Sequence, residues 1–183
     1  IAVPAQQLEG QVLQPLIQGR MVALHPQHAE ARFLRAFSLW HGLDLWGNIP
    51  LVTEDFELGA TPPDQSDRAT IYQYVVDELN AIRADLPAVG AAEYGRVDQG
   101  AVVMLLAKLY LNASVYIGAD QNSLALTEVE RVIGGPYTLA TDYQLNFMAD
   151  NQNSPEVIWA VAQDGDRTQP RVAGLDQRLF AQL

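Results

Sequence analysis

Apolar positions dominate one stretch of the chain, residues 98–118, which reads DQGAVVMLLAKLYLNASVYIG. Asp98 can cap the first turn of a helix by accepting its free N–H groups, and Gly118 can adopt the left-handed conformation that ends helices. Lys108 is the only charged side chain between them. A helix that is apolar on every side has to be covered on more than one face. The pattern therefore predicts a buried helix over 98–118, inside a stack of helices.

A membrane span is the other interpretation of such an apolar stretch. A span needs about 20 predominantly apolar residues, and basic residues typically flank it. This stretch has no basic flank and is interrupted by polar residues, namely Gln99, Lys108, Asn112 and Ser114. We therefore expect the helix to lie inside a water-soluble body.

The N-terminal part of the chain predicts two helices. Residues 6–24 have apolar positions about one turn apart, with a break or kink at Pro15 and an end at His25-Pro26, because proline interrupts the helical hydrogen bonds. Residues 28–46 form the second helix, which ends at a glycine. Its main apolar stripe consists of Phe33, Ala36, Phe37, Trp40 and Leu43.

Two amphipathic helices lie on either side of the buried one in sequence. The first begins at Thr70, where Gln73 completes a capping box, and is stopped by Pro87. Its apolar stripe consists of Ile71, Val75, Leu79, Ile82 and Leu86. The second covers residues 123–133, with apolar positions at Leu124, Leu126, Val129, Val132 and Ile133.

These helices predict two antiparallel hairpins over residues 28–134. The apolar spacing of the second hairpin resembles that of tetratricopeptide repeats. The first hairpin contains a long insertion, residues 47–68, that has no helical period, and insertions of this length are often functional.

Residues 135–183 differ in character, because aromatic and turn residues replace the helical periods. Residues 157–161 have the β-branched and aromatic content of a short strand. The predicted fold class is mainly α: tetratricopeptide-like helical hairpins with long irregular loops and a short β element near the C-terminal end.

Composition narrows the range of partners and sites. The chain has 183 residues and a formal net charge of −11. A surface of this charge repels phosphate backbones, so we expect no nucleic-acid partner. The chain contains no cysteine, which excludes disulfides, thiolate metal sites and a cysteine nucleophile.

Trp46 and Asn48 are the candidate ligand-binding residues. An indole ring can stack on the apolar C–H face of a sugar, and an amide side chain offers a donor and an acceptor to a hydroxyl group. Trp46 stands at a helix end, which is a more suitable place for an exposed ring than the core stripe, but core or interface packing is the favoured interpretation. Asn48 can equally serve a turn. Trp40 lies on the core stripe and is assigned to packing.

Catalytic and metal sites are not predicted. His25 and His28 are separated by a proline and have no third ligand nearby, so we expect no metal centre. Glu54 and Asp55 are adjacent, whereas the carboxylates of glycoside hydrolases face each other across a cleft about 5–10 Å wide. We interpret them as part of a solvated acidic loop, and no cofactor is expected.

Four motifs, in a particular order, resemble one family. EARFLRAFSLWHGLDLWGNIPLVTEDF and YGRVDQGAVVMLLAKLYLNASVYIG, followed by PYTLATDY and ADNQNSPEVIWAV, are similar to segments of SusD/RagB-type nutrient-binding proteins. The resemblance covers approximately residues 30–161. Family members are usually much longer, so we expect residues 1–183 to be one segment of a larger SusD-like domain, in which residues 135–183 begin the irregular ligand-binding part.

The resemblance implies a function that composition cannot indicate. SusD/RagB-type proteins are lipoproteins on the outer face of the outer membrane, and they are not enzymes. They bind glycans or peptides and pass them to a SusC-like TonB-dependent transporter. The lipidated cysteine would lie outside this segment, and no ligand-stacking residue of the family can be matched to a position here.

A generic tetratricopeptide-like scaffold that binds another protein is the alternative function. It would have regular hairpins, short loops and a concave groove. The insertion at residues 47–68 and the strand-like composition of residues 157–161 favour the nutrient-binding interpretation.

Overall fold

The computed structural model describes residues 5–54, 56, 62–148 and 150–162, with side chains from residue 26 onward. Helices dominate this part of the chain, so the mainly α fold class is confirmed. The helices are α1 (Ala5–Trp46), α2 (Arg68–Ile82), α3 (Gln99–Leu111), α4 (Ala113–Ile117) and α5 (Asn122–Ile133). Two short strands, β1 (Ile49–Pro50) and β2 (Gln65–Ser66), and single turns of 3-10 helix complete the described elements.

The first two predicted helices are one continuous helix of 42 residues, α1. The predicted end at His25-Pro26 is therefore wrong, and of the break or kink predicted at Pro15 the break is wrong. A proline inside a helix removes one hydrogen bond and can bend the helix without ending it. Packing continues directly beyond this point, because Ala29 and Phe33 are fully buried. The helix ends at Gly47, whose φ of 79° is the left-handed conformation expected there.

Asp67, and not Thr70, caps the next helix, α2. Its side chain accepts a hydrogen bond from the Thr70 backbone N–H at 2.8 Å, whereas the Gln73 side chain bonds to Asp77. The predicted capping box is thus replaced by a simple cap. The helix then ends at Ile82, before the predicted stop at Pro87, and continues as one 3-10 turn, Arg83–Asp85. Its apolar stripe is buried as predicted: Ile71, Val75, Leu79, Ile82 and Leu86.

Ion pairs fix α1 antiparallel to α2. Arg32 and Arg35 both donate to the Glu78 carboxylate, at 2.7 and 2.8 Å, near the end of α2. At the other end, the Arg68 guanidinium packs against Gly47 so closely that a Cβ there would lie 2.7 Å from Nη2. The hydrogen bonds from Arg32 are the main cause that lowers the pKa of Glu78.

The predicted buried helix is confirmed in position and is interrupted once. Asp98 caps α3 by accepting from the N–H groups of Gly100 and Ala101, and Gly118 closes α4 at a φ of 69°. Asn112 separates the two helices, since its φ and ψ of −95° and 9° are not helical. All residues between Gly100 and Tyr110 are buried except two half-buried ones four positions apart, Met104 and Lys108.

Three helices cover α3, because α1, α2 and α5 all contact it. Met104 and Lys108 lie on its one partly open face. The Lys108 ammonium stands 5.5 Å from the centre of the Trp40 ring, where a cation is attracted to the ring face. No helix in the described ranges is long and apolar enough to span a membrane.

The second hairpin consists of α3 and α5, which pack closely together. α5 agrees with the predicted helix, but its predicted apolar stripe is largely wrong. Ala125 and Glu128 face the core, whereas Leu126 and Ile133 are 59% and 74% exposed. A small alanine permits the close approach to α3, and the Glu128 carboxylate is neutralised by Arg83 at 2.9 Å.

The β element is not where the sequence placed it. β1 and β2 pair antiparallel within the insertion, with Ile49 opposite Ser66 and Pro50 opposite Gln65. Residues 157–161 are not a strand. Trp159 is buried there, with edge-to-face contacts to Phe33 and Phe37 at 5.2 Å each. The aromatic content of this segment therefore reflects packing onto α1.

We predict that Asp98→Ala destabilises the protein by about 2–4 kcal/mol. The substitution removes a helix cap, leaves the buried N–H groups of Gly100 and Ala101 without their acceptor, and releases the N–H group of Gly90. Chemical denaturation measures the loss. Asp67→Ala is the matched control, because it removes an exposed cap and should cost less. An equal or larger loss for Asp67→Ala would contradict the assignment.

We predict that the stability difference between the wild type and Glu78→Gln depends on pH. The folded-state pKa of Glu78 lies below the ordinary glutamate value of 4.5. Its stabilising contribution is therefore complete above that value and is lost as the pH falls through the lowered folded pKa. The unfolding free energies of the two proteins, measured by chemical denaturation between pH 3 and pH 7, should converge at the acid end. A stability difference that stays constant with pH would contradict the ion-pair account. Glu130→Gln, at an exposed position of α5, serves as the control.

Candidate functional site

Trp46 and Asn48 lie at one end of the first hairpin. Trp46 is the last residue of α1 and is 72% exposed, so core packing does not account for it, whereas Trp40 is buried as expected. The Asn48 Oδ1 atom accepts a hydrogen bond of 3.0 Å from the backbone N–H of Arg68, the first residue of α2. This bond joins the segment after α1 to the start of α2 and is not a local turn contact.

Arg68 organises this end of the molecule further. Its Nη1 atom donates to the Val115 carbonyl at 3.1 Å and thereby connects the start of α2 to α4. The Tyr116 hydroxyl donates to Asp44 at 2.6 Å and ties α4 to the last turns of α1. Trp46 thus projects from a well-braced helix end, which limits the entropy that a ligand contact there would cost.

A cavity of about 330 Å³ lies at the start of α3. Three segments that are distant in sequence line it: the loop before α3, the turn after α5, and the segment that carries Trp159. This site was not predicted from the sequence. No local motif marks it, because the cavity exists only once residues some 60 positions apart are brought together.

Asp98 holds the lining of this cavity in place. Its Oδ2 atom accepts from the Gly90 N–H at 2.6 Å, while Oδ1 accepts from Gly100 at 2.7 Å. One buried carboxylate thus joins the loop before α3 to the first turn of the helix. Gly90 has a φ of 73°, and a Cβ there would lie 2.3 Å from Pro136, so the turn after α5 packs directly on this glycine.

Electrostatic contacts brace the same loop against α1. Arg96 makes a bidentate pair with Glu30, with Nε–Oε1 at 2.9 Å, and the Val97 N–H donates to the same carboxylate. On the other wall, burial, reinforced by the nearby Asp98 charge, raises the pKa of Tyr137 to about 12, so its hydroxyl is neutral at physiological pH. The Tyr94 side chain is 56% exposed.

A second, more apolar cavity of about 320 Å³ lies beside it, at the end of α5. Ile133 and Leu139 line it, together with Tyr137 and Glu156. The Glu156 carboxylate is engaged by the Ala140 N–H at 2.8 Å. No group of three or more metal-ligating side chains occurs among the residues that the structure describes.

Comparison with known proteins places these features in context. No family model matches the chain. It is 40% identical over 146 residues to the starch-binding protein SusD of Bacteroides thetaiotaomicron, a match that covers 78% of this chain. It is 30% identical over 137 residues to the SusD-like protein P25 of Formosa agariphila, covering 73% of this chain. The chain spans about a quarter of the length of these relatives, 26% and 25% respectively.

A solved structure gives the same result for the fold. The surface glycan-binding protein A of Bacteroides thetaiotaomicron, in complex with laminarihexaose, superposes with a TM-score of 0.62 at 26% identity. The superposition covers 76% of this chain and 28% of that one. The resemblance inferred from the four motifs is therefore confirmed: over about three quarters of its length, this chain is SusD-like in sequence and in fold.

Proposed function

We propose that this chain belongs to a cell-surface nutrient-binding protein that binds an oligosaccharide and delivers it to a TonB-dependent outer-membrane transporter. The similarity to SusD, which is named for starch binding, carries the proposal. The laminarihexaose complex of a structural neighbour supports a glycan as the ligand. A peptide is the alternative ligand class within the same function.

The partner and the location follow from the same resemblance. We propose a SusC-like transporter as the partner and the extracellular face of the outer membrane as the location, with a lipid anchor outside this segment. Within the chain, residues 28–134 would serve as the helical support, and residues 135–183 would begin the irregular ligand-binding part.

We propose binding without catalysis. Among the acidic residues considered for hydrolysis, Glu54 accepts a hydrogen bond from Arg35 at 2.5 Å, which ties the insertion to α1, whereas Asp55 lies outside the described residues. A carboxylate engaged in this way serves structure and is poorly suited to act as a general acid. The names of the relatives, starch-binding and glycan-binding, agree with this role.

Trp46 and Asn48 are our proposed contacts for the ligand in the first hairpin. The exposed indole ring at the end of α1 can stack on a sugar ring. The Oδ1 atom of Asn48 already accepts from Arg68, so its contribution to a ligand would come from the amide nitrogen.

A protein-binding scaffold remains the second candidate, and one observation favours it. The outer face of α5 is apolar and exposed at Leu126 and Ile133, and exposed apolar patches often mark protein contacts. The two functions differ in one measurable property, since a scaffold has no affinity for free saccharides.

We predict that Trp46→Ala weakens saccharide binding about five- to tenfold, because it removes an aromatic stacking surface. Titration calorimetry with maltoheptaose and laminarihexaose measures the change in Kd. The wild type should bind at least one of them, and Trp46→Phe should retain most of the affinity. Leu45→Ala is the matched control, since Leu45 is the preceding residue and is also exposed.

Two results would count against this account. A wild-type protein that binds neither saccharide, nor any of a panel of peptides, would remove the nutrient-binding function and favour the scaffold. Equal affinities for the wild type and Trp46→Ala would remove Trp46 from the site while leaving the function in place.

A further inference from the structure

We propose that the cavity at the start of α3 is a second saccharide-binding site, which takes one or two rings of a neutral sugar. This inference rests on the proposed function and adds a site that is separate from Trp46. It is carried by four properties of the cavity, namely its size, its rigidity, its surface chemistry and its charge.

The size of the cavity suits a small ligand. Its volume of about 330 Å³ falls within the range of roughly 300–1,000 Å³ that small-molecule sites occupy. That space is too small for a folded partner. It can admit the end of an oligosaccharide, because the cavity opens to solvent where Tyr94 is exposed.

The walls of the cavity are fixed before any ligand arrives. Asp98 bonds to Gly90 and Gly100 on either side of it, and Glu30 holds both Arg96 and Val97 against α1. The opposite wall is joined by the hydrogen bond from the Thr138 N–H to the Pro155 carbonyl at 3.2 Å. A preformed site spends little binding energy on ordering its own loops.

The lining combines the two chemical features that a sugar requires. Tyr94 offers a partly exposed aromatic ring, and Pro155 adds a second, exposed apolar ring. Sugars present apolar C–H faces to such rings and hydroxyl donors to acceptors. Glu93, which also lines the cavity, supplies a carboxylate, and a carboxylate is an acceptor for hydroxyl groups.

The charge of the lining selects neutral sugars over acidic ones. Glu93 and Asp98 are acidic, and Arg96, the one basic residue of the lining, is already neutralised by its bidentate pair with Glu30. Three backbone N–H groups already engage the Asp98 carboxylate, so an anionic ligand would chiefly meet the charge of Glu93, in a chain whose net charge is already −11. Sulfated sugars and uronic acids should therefore be excluded.

The two sites lie at well-separated positions along α1. Glu30, which pairs with Arg96, precedes Trp46 by 16 residues on the same helix. At 1.5 Å per residue this separation is about 24 Å along the helix. Substitutions at the two sites should therefore act independently, because distant sites without shared partners are additive.

We predict that Tyr94→Ala raises the Kd for laminaritriose or maltotriose at least about fivefold. Tyr94→Phe should stay within about twofold of the wild type, because it keeps the ring. Tyr143→Ala is the matched control, since Tyr143 is also exposed, 73% against 56% for Tyr94, and does not line the cavity. A glucuronic-acid-containing trisaccharide of the same length should not compete, and the double variant Trp46→Ala with Tyr94→Ala should show both binding events weakened, each by the factor found for its own single variant.

The possible outcomes separate this inference from the proposed function. If the wild type binds no neutral saccharide of any length, the proposed function fails and this site fails with it. If the wild type binds and Tyr94→Ala binds equally well, only this site is overturned. Strong binding of the acidic trisaccharide at the Tyr94 site would overturn its assignment to neutral sugars. Circular dichroism and thermal melts confirm that each variant is folded.

Discussion

The rest of the structure depends on the burial of α3, a helix that is apolar on every side. Because it has no polar face to turn toward water, α1, α2 and α5 must all pack against it. Its one charged side chain, Lys108, lies on the only half-buried face and approaches the ring of Trp40. Asp98 makes this burial possible at the N-terminal end, since it satisfies N–H groups that would otherwise be buried without acceptors.

The same constraint positions both candidate binding surfaces. α1 is held against the core along Phe33, Ala36 and Leu43, so its exposed end at Trp46 has a fixed direction. At the N-terminal end of α3, the Asp98 carboxylate that caps the helix also holds the loop that lines the cavity. A rigid helical support with polar, partly exposed ends is a suitable design for binding a ligand without reorganisation. It is also consistent with the SusD-like fold of the chain.

The sequence predicted the parts of the fold that local chemistry determines. The Asp98 cap, the left-handed Gly118 and the stripe of α2 each depend on residues within a few positions of one another. The errors occurred where tertiary packing decided the outcome. Pro26 did not end a helix because packing continues directly beyond it. Leu126 and Ile133 of α5 are exposed because Ala125 and Glu128 face the core instead. The exposure of Trp46 was not the favoured prediction, since an indole ring is more often packed than free, and the cavity was not predicted at all, since its walls come from three separate segments.

Amide hydrogen exchange along α3 tests the central claim most directly. If α3 is the covered core, its amides from Val102 to Tyr110 should be the slowest to exchange in the chain and should open only on global unfolding. The amides on the exposed face of α5, around Leu126 and Glu130, provide the internal reference and should exchange faster. Exchange in the middle of α3 that is as fast as in this reference would contradict the account.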